Sequence, residues 1–206
     1  VTSTIAGRDV AVTGVTTTDS SSAAWKTGKY TQGTSSSSTQ SFTGSSIVAG
    51  GDLTVGAVGT VAITGSDIAA GGNIALQAGQ GVTVGAAQTS STQSLNERVS
   101  KRVKVNASDS TTITNTLSNV VAGGDLSITT PGTLSIAGAN LSAGDVARVN
   151  AGAISITGVI DQTSSSTNMV NVKKGLLSKK TTAVTTSGAD PYLTSRRSSS
   201  RLILQM

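Results

Sequence analysis

The chain has no cysteine and no histidine, and only 2% of its 206 residues are aromatic. Without cysteine there are neither disulfides nor thiolate metal sites. Without histidine, acid–base and metal chemistry would fall to carboxylates, and these are few. One Trp, one Phe and two Tyr cannot fill a broad, dense core. They also fail to supply the stacking platforms on which single-stranded nucleic acid binds, so nucleic acid is not an expected partner. Charge is scarce as well, at 12% of residues, but unequal in sign, with 15 Lys and Arg against 10 Asp and Glu, a net +5. That excess favours acidic partners such as lipid headgroups or lipopolysaccharide. No apolar run approaches the roughly 18 residues of a membrane span, and no basic-then-apolar signal segment follows Val1. The expectation is a piece of a longer chain whose targeting signals lie elsewhere. A cysteine-free chain also suits unfolded passage through a secretion pore.

What is abundant is glycine, 24 residues of it, together with Ser and Thr. The glycines recur in a phrase. Ala49-Gly50-Gly51-Asp52 returns as Ala70-Gly71-Gly72-Asn73, a step of 21, and as Ala122-Gly123-Gly124-Asp125. Ala143-Gly144-Asp145 follows, putting Asp145 a step of 20 after Asp125. Periods near twenty mark solenoids. Between the phrases lie short alternating runs such as Leu53-Thr54-Val55, Val61-Ala62-Ile63, Ile74-Ala75-Leu76 and Leu134-Ser135-Ile136. Apolar residues two apart, punctuated by Gly, are strand signals.

Several short strands per twenty residues without helices predict an all-β fold, a parallel β-helix with coils stacked about 4.8 Å apart. The spacing predicts inner ladders in which Leu53 meets Ile74 and Leu126 meets Val146. It predicts one corner position shared by Asp52, Asn73, Asp125 and Asp145, with Asx side chains bonding nearby backbone. Corner glycines are expected to supply positive φ. A β-sandwich would not need near-identical corners every twenty residues.

A longer period of 73 residues separates Gly51 from Gly124 and Val61 from Leu134. It carries polar outgrowths, at about 16–46, 88–119 and 162–188, each Ser-rich at its start and basic in its middle. Antiparallel hairpins or loops are expected there. The repeat domain thus covers 1–188, and the ending, 189–206, fits neither period.

The stretch "AGGDLTV…VAITGSDIAAGGNIALQAGQGVTVGAAQTSSTQS", with the later "KKGLLSKKTT", resembles the haemagglutinin repeats of filamentous haemagglutinins and contact-dependent growth inhibition effectors. The resemblance implies a right-handed β-helical filament within a large Gram-negative exoprotein. Such proteins are exported by two-partner secretion, through an outer-membrane secretion partner, to the cell surface. Some members are adhesins, while others carry a toxin into neighbouring bacteria, with the second repeat region at the target-cell outer membrane. No toxin module is recognisable here, and the irregular ending departs from the pattern.

Candidate sites are few. Asp125 and Asp145, as stacked corners, could approach the separation that glycan-cleaving β-helix enzymes need. Asp52 and Asn73 at the same corner favour turn chemistry instead. Glu97, the one glutamate, sits in an outgrowth. No catalytic, cofactor or metal site is expected; the Gly/Asp phrase has the wrong period for a calcium roll. The remaining candidates are the basic groups of the outgrowths: Lys26, Lys29, Arg98, Lys101, Arg102, Lys104, Lys173, Lys174, Lys179 and Lys180, with Arg196, Arg197 and Arg201 beyond them. They either keep the filament soluble or face phosphates of lipopolysaccharide or anionic glycans, many weak contacts adding by avidity. Trp25, Tyr30 and Phe42 are expected to form a small cluster that steadies the first outgrowth; Tyr192 lies near the end.

Overall fold

The computed structural model describes residues 3–99, 104–174, 179–188, 197–198 and 201–203, and these contain strands and turns but no helix. The chain winds in stacked coils. The first holds β1 (Ser3–Gly7), β2 (Val10–Thr13), a hairpin of β3 (Val15–Thr27) and β4 (Thr31–Thr43), and β5 (Ser46–Ala49). The second holds β6 (Leu53–Ala57), β7 (Thr60–Thr64) and β8 (Asp67–Ala70). The third holds β9 (Ile74–Ala78), β10 (Gly81–Gly85), a hairpin of β11 (Ala87–Val99) and β12 (Lys104–Thr116), and β13 (Ser118–Ala122). In the fourth, β14 (Leu126–Ala137) spans two strand places before β15 (Ala139–Ala143). The fifth has β16 (Ala147–Thr157), the short β17 (Val159–Ile160) and a hairpin of β18 (Gln162–Lys174) and β19 (Lys179–Gly188). It closes with β20 (Arg197–Ser198), paired to β17, and β21 (Arg201–Ile203).

Equivalent strands pair in parallel from coil to coil. One stack runs β1, β6, β9, β14, β16. A second runs β2, β7, β10, then the later halves of β14 and β16. A third runs β5, β8, β13, β15, β21. Spacing assigns the tail no coil, yet β21 holds the place that β5 and β13 hold after the earlier hairpins. The alternating runs explain the core. Their large apolar residues, two apart, point inward and form buried ladders, Val55–Leu76–Ile128 in the first stack and Ile63–Val84–Ile136 in the second, each 0% exposed.

Three sequence expectations are corrected. Leu53 does face Ile74, but Leu126 faces Ala147 rather than Val146. The step at this corner is 21 in both blocks, Leu53 to Ile74 and Leu126 to Ala147, so Val146, not Asp145, takes the fourth corner place; the step of 20 comes only after a register shift between Thr130 and Thr133. Asp145 aligns instead with Gly124, whose carbonyl accepts its N–H at 3.2 Å. The corner glycines do not need positive φ; that conformation occurs at Gly28, Gly65 and Gly138. They are needed for close stacking. A Cβ on Gly71 would lie 2.6 Å from the Gly50 carbonyl oxygen, and one on Gly72 2.3 Å from Asp52 Oδ1. Coils one strand-spacing apart leave no room for a side chain over the backbone below.

The Asx residues themselves form a ladder. Asn73 N–H donates to Asp52 Oδ1 at 2.7 Å, Asp125 N–H to Asn73 Oδ1 at 2.7 Å, and Val146 N–H to Asp125 Oδ1 at 3.1 Å. Each Asx side chain accepts from the corner of the following coil, and the ladder stops at Val146, whose side chain has no oxygen to offer.

Candidate functional site

The three hairpins all leave between the second and third stacks, at every second coil, and they join. Their strands make one six-stranded antiparallel sheet in the order β19-β18-β12-β11-β4-β3. The reason is a match of lengths. Stacked coils and paired strands share a spacing of about 4.8 Å, so a two-stranded hairpin fills the width of two coils. Successive hairpins therefore arrive already at pairing distance. Within the sheet Thr39 sits opposite Ser91, and Lys104 opposite Asn171.

The intervening coils make room for this. In the second and fourth coils the chain turns directly, at Gly65 (φ 55) and Gly138 (φ 66). A Cβ on Gly65 would lie 2.4 Å from Phe42 and 2.5 Å from Ala87, at the bases of the first and second hairpins. A Cβ on Gly138 would lie 2.5 Å from Val159 and 2.9 Å from Ala86. Buried serines satisfy backbone groups at the same corner. Ser66 N–H donates to Ser118 Oγ at 3.2 Å, and Ser118 Oγ donates to the Gly85 carbonyl at 2.6 Å. Sequence reading missed Ser66, Ser118, Gly65 and Gly138. Their signal was present: Gly65 and Gly138 stand where other coils carry hairpins, and Ser118 stands in register with Ser66.

The sheet is rich in paired hydroxyls. Ser21 and Ser37 hydroxyls lie 2.9 Å apart within the first hairpin, and Thr39 and Ser91 hydroxyls 3.2 Å apart between the first and second. Thr112 and Thr163 hydroxyls, 3.4 Å apart, join the second hairpin to the third. At the bases, Ser90 N–H and Oγ both donate to Gln40 Oε1, and Asn115 donates to Asp161.

Trp25 and Phe42 do not share one cluster. Trp25 lies over Gly33 near the far end of the first hairpin, where a Cβ on Gly33 would approach its ring to 2.3 Å. Phe42 packs at the base, against Gly65. Lys29 Nζ is 6.0 Å from the Tyr30 ring centroid, within cation–π reach. The row Trp25–Gly33 and the row Thr16–Phe42 are separated by most of the strand length, which rules out a common contact. Tyr192 lies outside the described residues.

The basic residues gather at the far ends of the hairpins. Lys26, Gln32 and Arg98 stand in one cross-strand row, Lys26 and Arg98 both exposed, and with Asn96 and Trp25 they line an open groove. Lys104 lies one row further out, opposite Val99. On the third hairpin Lys173 is directly opposite Lys180 and Lys174 opposite Lys179. Lys101, Arg102 and Arg196 lie outside the described residues; Arg197 and Arg201 belong to β20 and β21, away from the hairpin ends.

Two carboxylates bond one coil to the next. Asp9 Oδ1 accepts the Thr60 N–H at 2.8 Å and the Thr60 hydroxyl at 3.1 Å, which together hold its carboxyl below the usual range. Asp125 is lowered chiefly by the Arg148 guanidinium, 2.7 Å from Oδ2, and then by the Val146 N–H. Asp125 and Asp145, occupying different corner places, are not stacked equivalents. Among the described residues no three Asp, Glu, His or Cys side chains converge, and no helix is long and apolar enough to cross a membrane.

Residues 26–113 match a family described as Hemagglutinin repeat. The matched stretch begins within the first hairpin, crosses the second coil and ends within the second hairpin. No curated protein and no solved structure matches the chain.

Proposed function

We propose that this haemagglutinin-repeat segment is part of a secreted, adhesin-like bacterial exoprotein, displayed at a Gram-negative cell surface and working by contact rather than catalysis. The coils form a stiff rod, wound right-handed as nearly all parallel crossovers are. The paired hairpins form a fin along one side of it. The fin's basic outer margin meets anionic groups, such as lipopolysaccharide phosphates or acidic glycans, on another cell. The parent chain is exported by two-partner secretion through an outer-membrane partner. Delivery of a toxin into that other cell is a finer version of the same reading.

The observation that carries the reading is the cross-strand register at the hairpin ends. It gathers Lys26, Arg98, Lys104, Lys173, Lys174, Lys179 and Lys180 on one margin. An anion is the ligand chemistry that suits a margin of Lys and Arg on which Lys26 and Arg98 stand exposed in one cross-strand row. Each contact is exposed and weak, and repetition along the fin supplies avidity.

The test is binding of the chain to immobilised lipopolysaccharide over a salt series. Affinity is expected to fall as salt rises and to fall again in Lys26→Gln/Arg98→Gln. Binding indifferent to both would overturn the reading. No binding at any salt would leave a spacer, and release of sugars from polysaccharides would make the segment a glycan-cleaving enzyme.

A further inference from the structure

Midway up the fin, on one of its two faces, an open groove of about 350 Å³ runs across the strands, in the direction the coils stack. Opposed residues of antiparallel strands share a face, and successive residues alternate between faces. The register therefore assigns the groove's parts. One wall is the row Ser21–Ser37–Gln93–Ser110–Ser165. The other, two residues nearer the hairpin ends, holds Ser35, Leu95, Ser108 and Thr167. The row between them, Ser36–Ser94–Asp109–Ser166, turns its side chains to the opposite face and leaves its backbone as the floor.

The walls are uncharged, on a fin whose outer margin is basic. Their hydroxyls are also unspent. Nearer the base of the same face, Thr39 and Ser91 hydroxyls pair at 3.2 Å and Thr112 and Thr163 at 3.4 Å, which ties one hairpin to the next. In the groove Ser21 pairs with Ser37. Ser35, Ser108, Ser110, Ser165 and Thr167 have no side-chain partner among the described residues, and the first three are half-buried. Such hydroxyls donate, accept and rotate to suit a partner, and polar groups drawn back from water take one where it is offered.

The bank towards the hairpin ends is apolar. Leu95, in the wall, is 40% exposed. The next row carries Trp25, with Met169 and Val184 directly opposite each other and 50% and 53% exposed. Among the described residues, Leu95, Met169 and Val184 are the exposed large apolar side chains of the fin between base and tip, and all three stand on this face. Uncharged hydroxyls beside an apolar bank complement sugar rings, whose edges carry hydroxyls and whose faces carry C–H groups. The groove offers no free sheet edge, so a peptide strand finds no ladder to join there.

We infer that this groove binds an uncharged linear glycan lying along the rod. The hydroxyls repeat at the strand spacing of about 4.8 Å, close to the length of one ring in an extended glycan. Each hydrogen bond contributes little alone, and the groove crosses β3, β4, β11, β12 and β18, so several act together. The inference goes beyond the anion-binding reading and does not depend on it: the ligand is uncharged and the site lies away from the basic margin.

The test is calorimetric titration of the 206-residue chain with cello- and chito-oligosaccharides of increasing length and with a linear galactan, at low and high salt. At least one of these glycans is expected to bind, more tightly as the chain lengthens, and with no change in affinity with salt, because no charge is paired. Ser37→Tyr plants a ring in the groove and is expected to weaken binding by about tenfold or more, the loss of a few hydrogen bonds. Ser36→Tyr puts the same ring on the same strand but on the other face, and is expected to bind as the unaltered chain does. Tyrosine suits an exposed strand position, and circular dichroism reports whether both variants fold. Leu95→Ser, which removes the apolar wall, is expected to weaken binding several-fold. Lys26→Gln/Arg98→Gln is expected to leave it intact, which separates the groove from the margin. No binding of any of these glycans would overturn the inference. So would affinity that falls with salt or in Lys26→Gln/Arg98→Gln, or an equal loss in Ser36→Tyr and Ser37→Tyr.

Discussion

The rod and the fin are both β-sheet, built from one chain on one strand spacing, yet different forces hold them. The rod is parallel, narrow and dry. Its inward residues Leu53, Val55, Ile63, Leu76, Ile128 and Leu134 are at most 1% exposed, and ladders of apolar side chains bind each coil to the next. The fin is antiparallel and exposed on both faces. Backbone ladders and hydroxyl pairs hold it, with few apolar contacts beyond Trp25 over Gly33. An exposed polar ribbon of this kind is marginal by itself. It persists because the rod presents each hairpin at pairing distance from the last. The rod therefore fixes the fin's register, and the fin leaves the rod's core untouched.

The sharpest way to break this asymmetry is to remove apolar volume from the rod. Leu76→Ala, in the middle of a ladder between Val55 and Ile128, is expected to cost about 2–5 kcal/mol. Ser37→Ala, in the middle of the fin, is expected to stay within about 0.5 kcal/mol. Urea unfolding of both variants decides it. Similar costs would mean that the fin carries as much stability as the rod.

A second experiment separates positioning from backbone conformation. Gly28 and Gly65 have nearly the same φ, 63 and 55. Gly28 sits at a hairpin end with nothing within 4 Å of an added Cβ, whereas Gly65 is wedged between Phe42 and Ala87. Gly28→Ala is expected to cost only the left-handed backbone, about 1–2 kcal/mol. Gly65→Ala has the same backbone cost and also pushes the two hairpin bases apart. Amide exchange of Ser91–Val99, which face Thr31–Thr39, is expected to speed up in Gly65→Ala and not in Gly28→Ala. Equal exchange in the two would show that the hairpins hold their register without help from the rod.

These contrasts also mark what could be read from the sequence. The alternating runs report the rod directly, because an inward residue at every second place is a local signal. The 73-residue recurrence reports that outgrowths exist. It does not report that they pair, because pairing follows from coil spacing equalling strand spacing, a property of the assembled rod. The slip at Asp145 has a similar origin. Identity of residue type suggested a corner, but the count of hydrogen-bonded rows put Val146 there. The Gly-Gly pair was legible as a turn and misread in mechanism. What it avoids is the carbonyl and the Asx oxygen of the coil below, which are neighbours in space and a full coil away in sequence.

The smallest expected effect concerns the rod's own polar corners, and its sign can be worked out. Asp9 binds the edge coil to the second coil through Thr60, whose N–H and hydroxyl both favour the ionised carboxylate and lower its pKa. Asp125 is lowered in the same way by Arg148 and the Val146 N–H. A carboxylate whose folded pKa is depressed contributes fully above its unfolded pKa, about 3.9. That contribution is lost as pH falls through the folded value. Melting temperature is therefore expected to be level on this account above about pH 4 and to drop below it. Asp9→Asn and Asp125→Asn should each lower the neutral-pH melting temperature slightly and make the acid drop shallower. Asp9 is exposed and Asp125 half-buried at the surface, so solvent and salt screen the interactions, and the shifts should shrink further in high salt. A steeper acid drop in either variant would mean that the carboxylate opposes the corner it bonds to. The fin's edge at β3 has no such Asx ladder, so its amide exchange should not follow this acid transition.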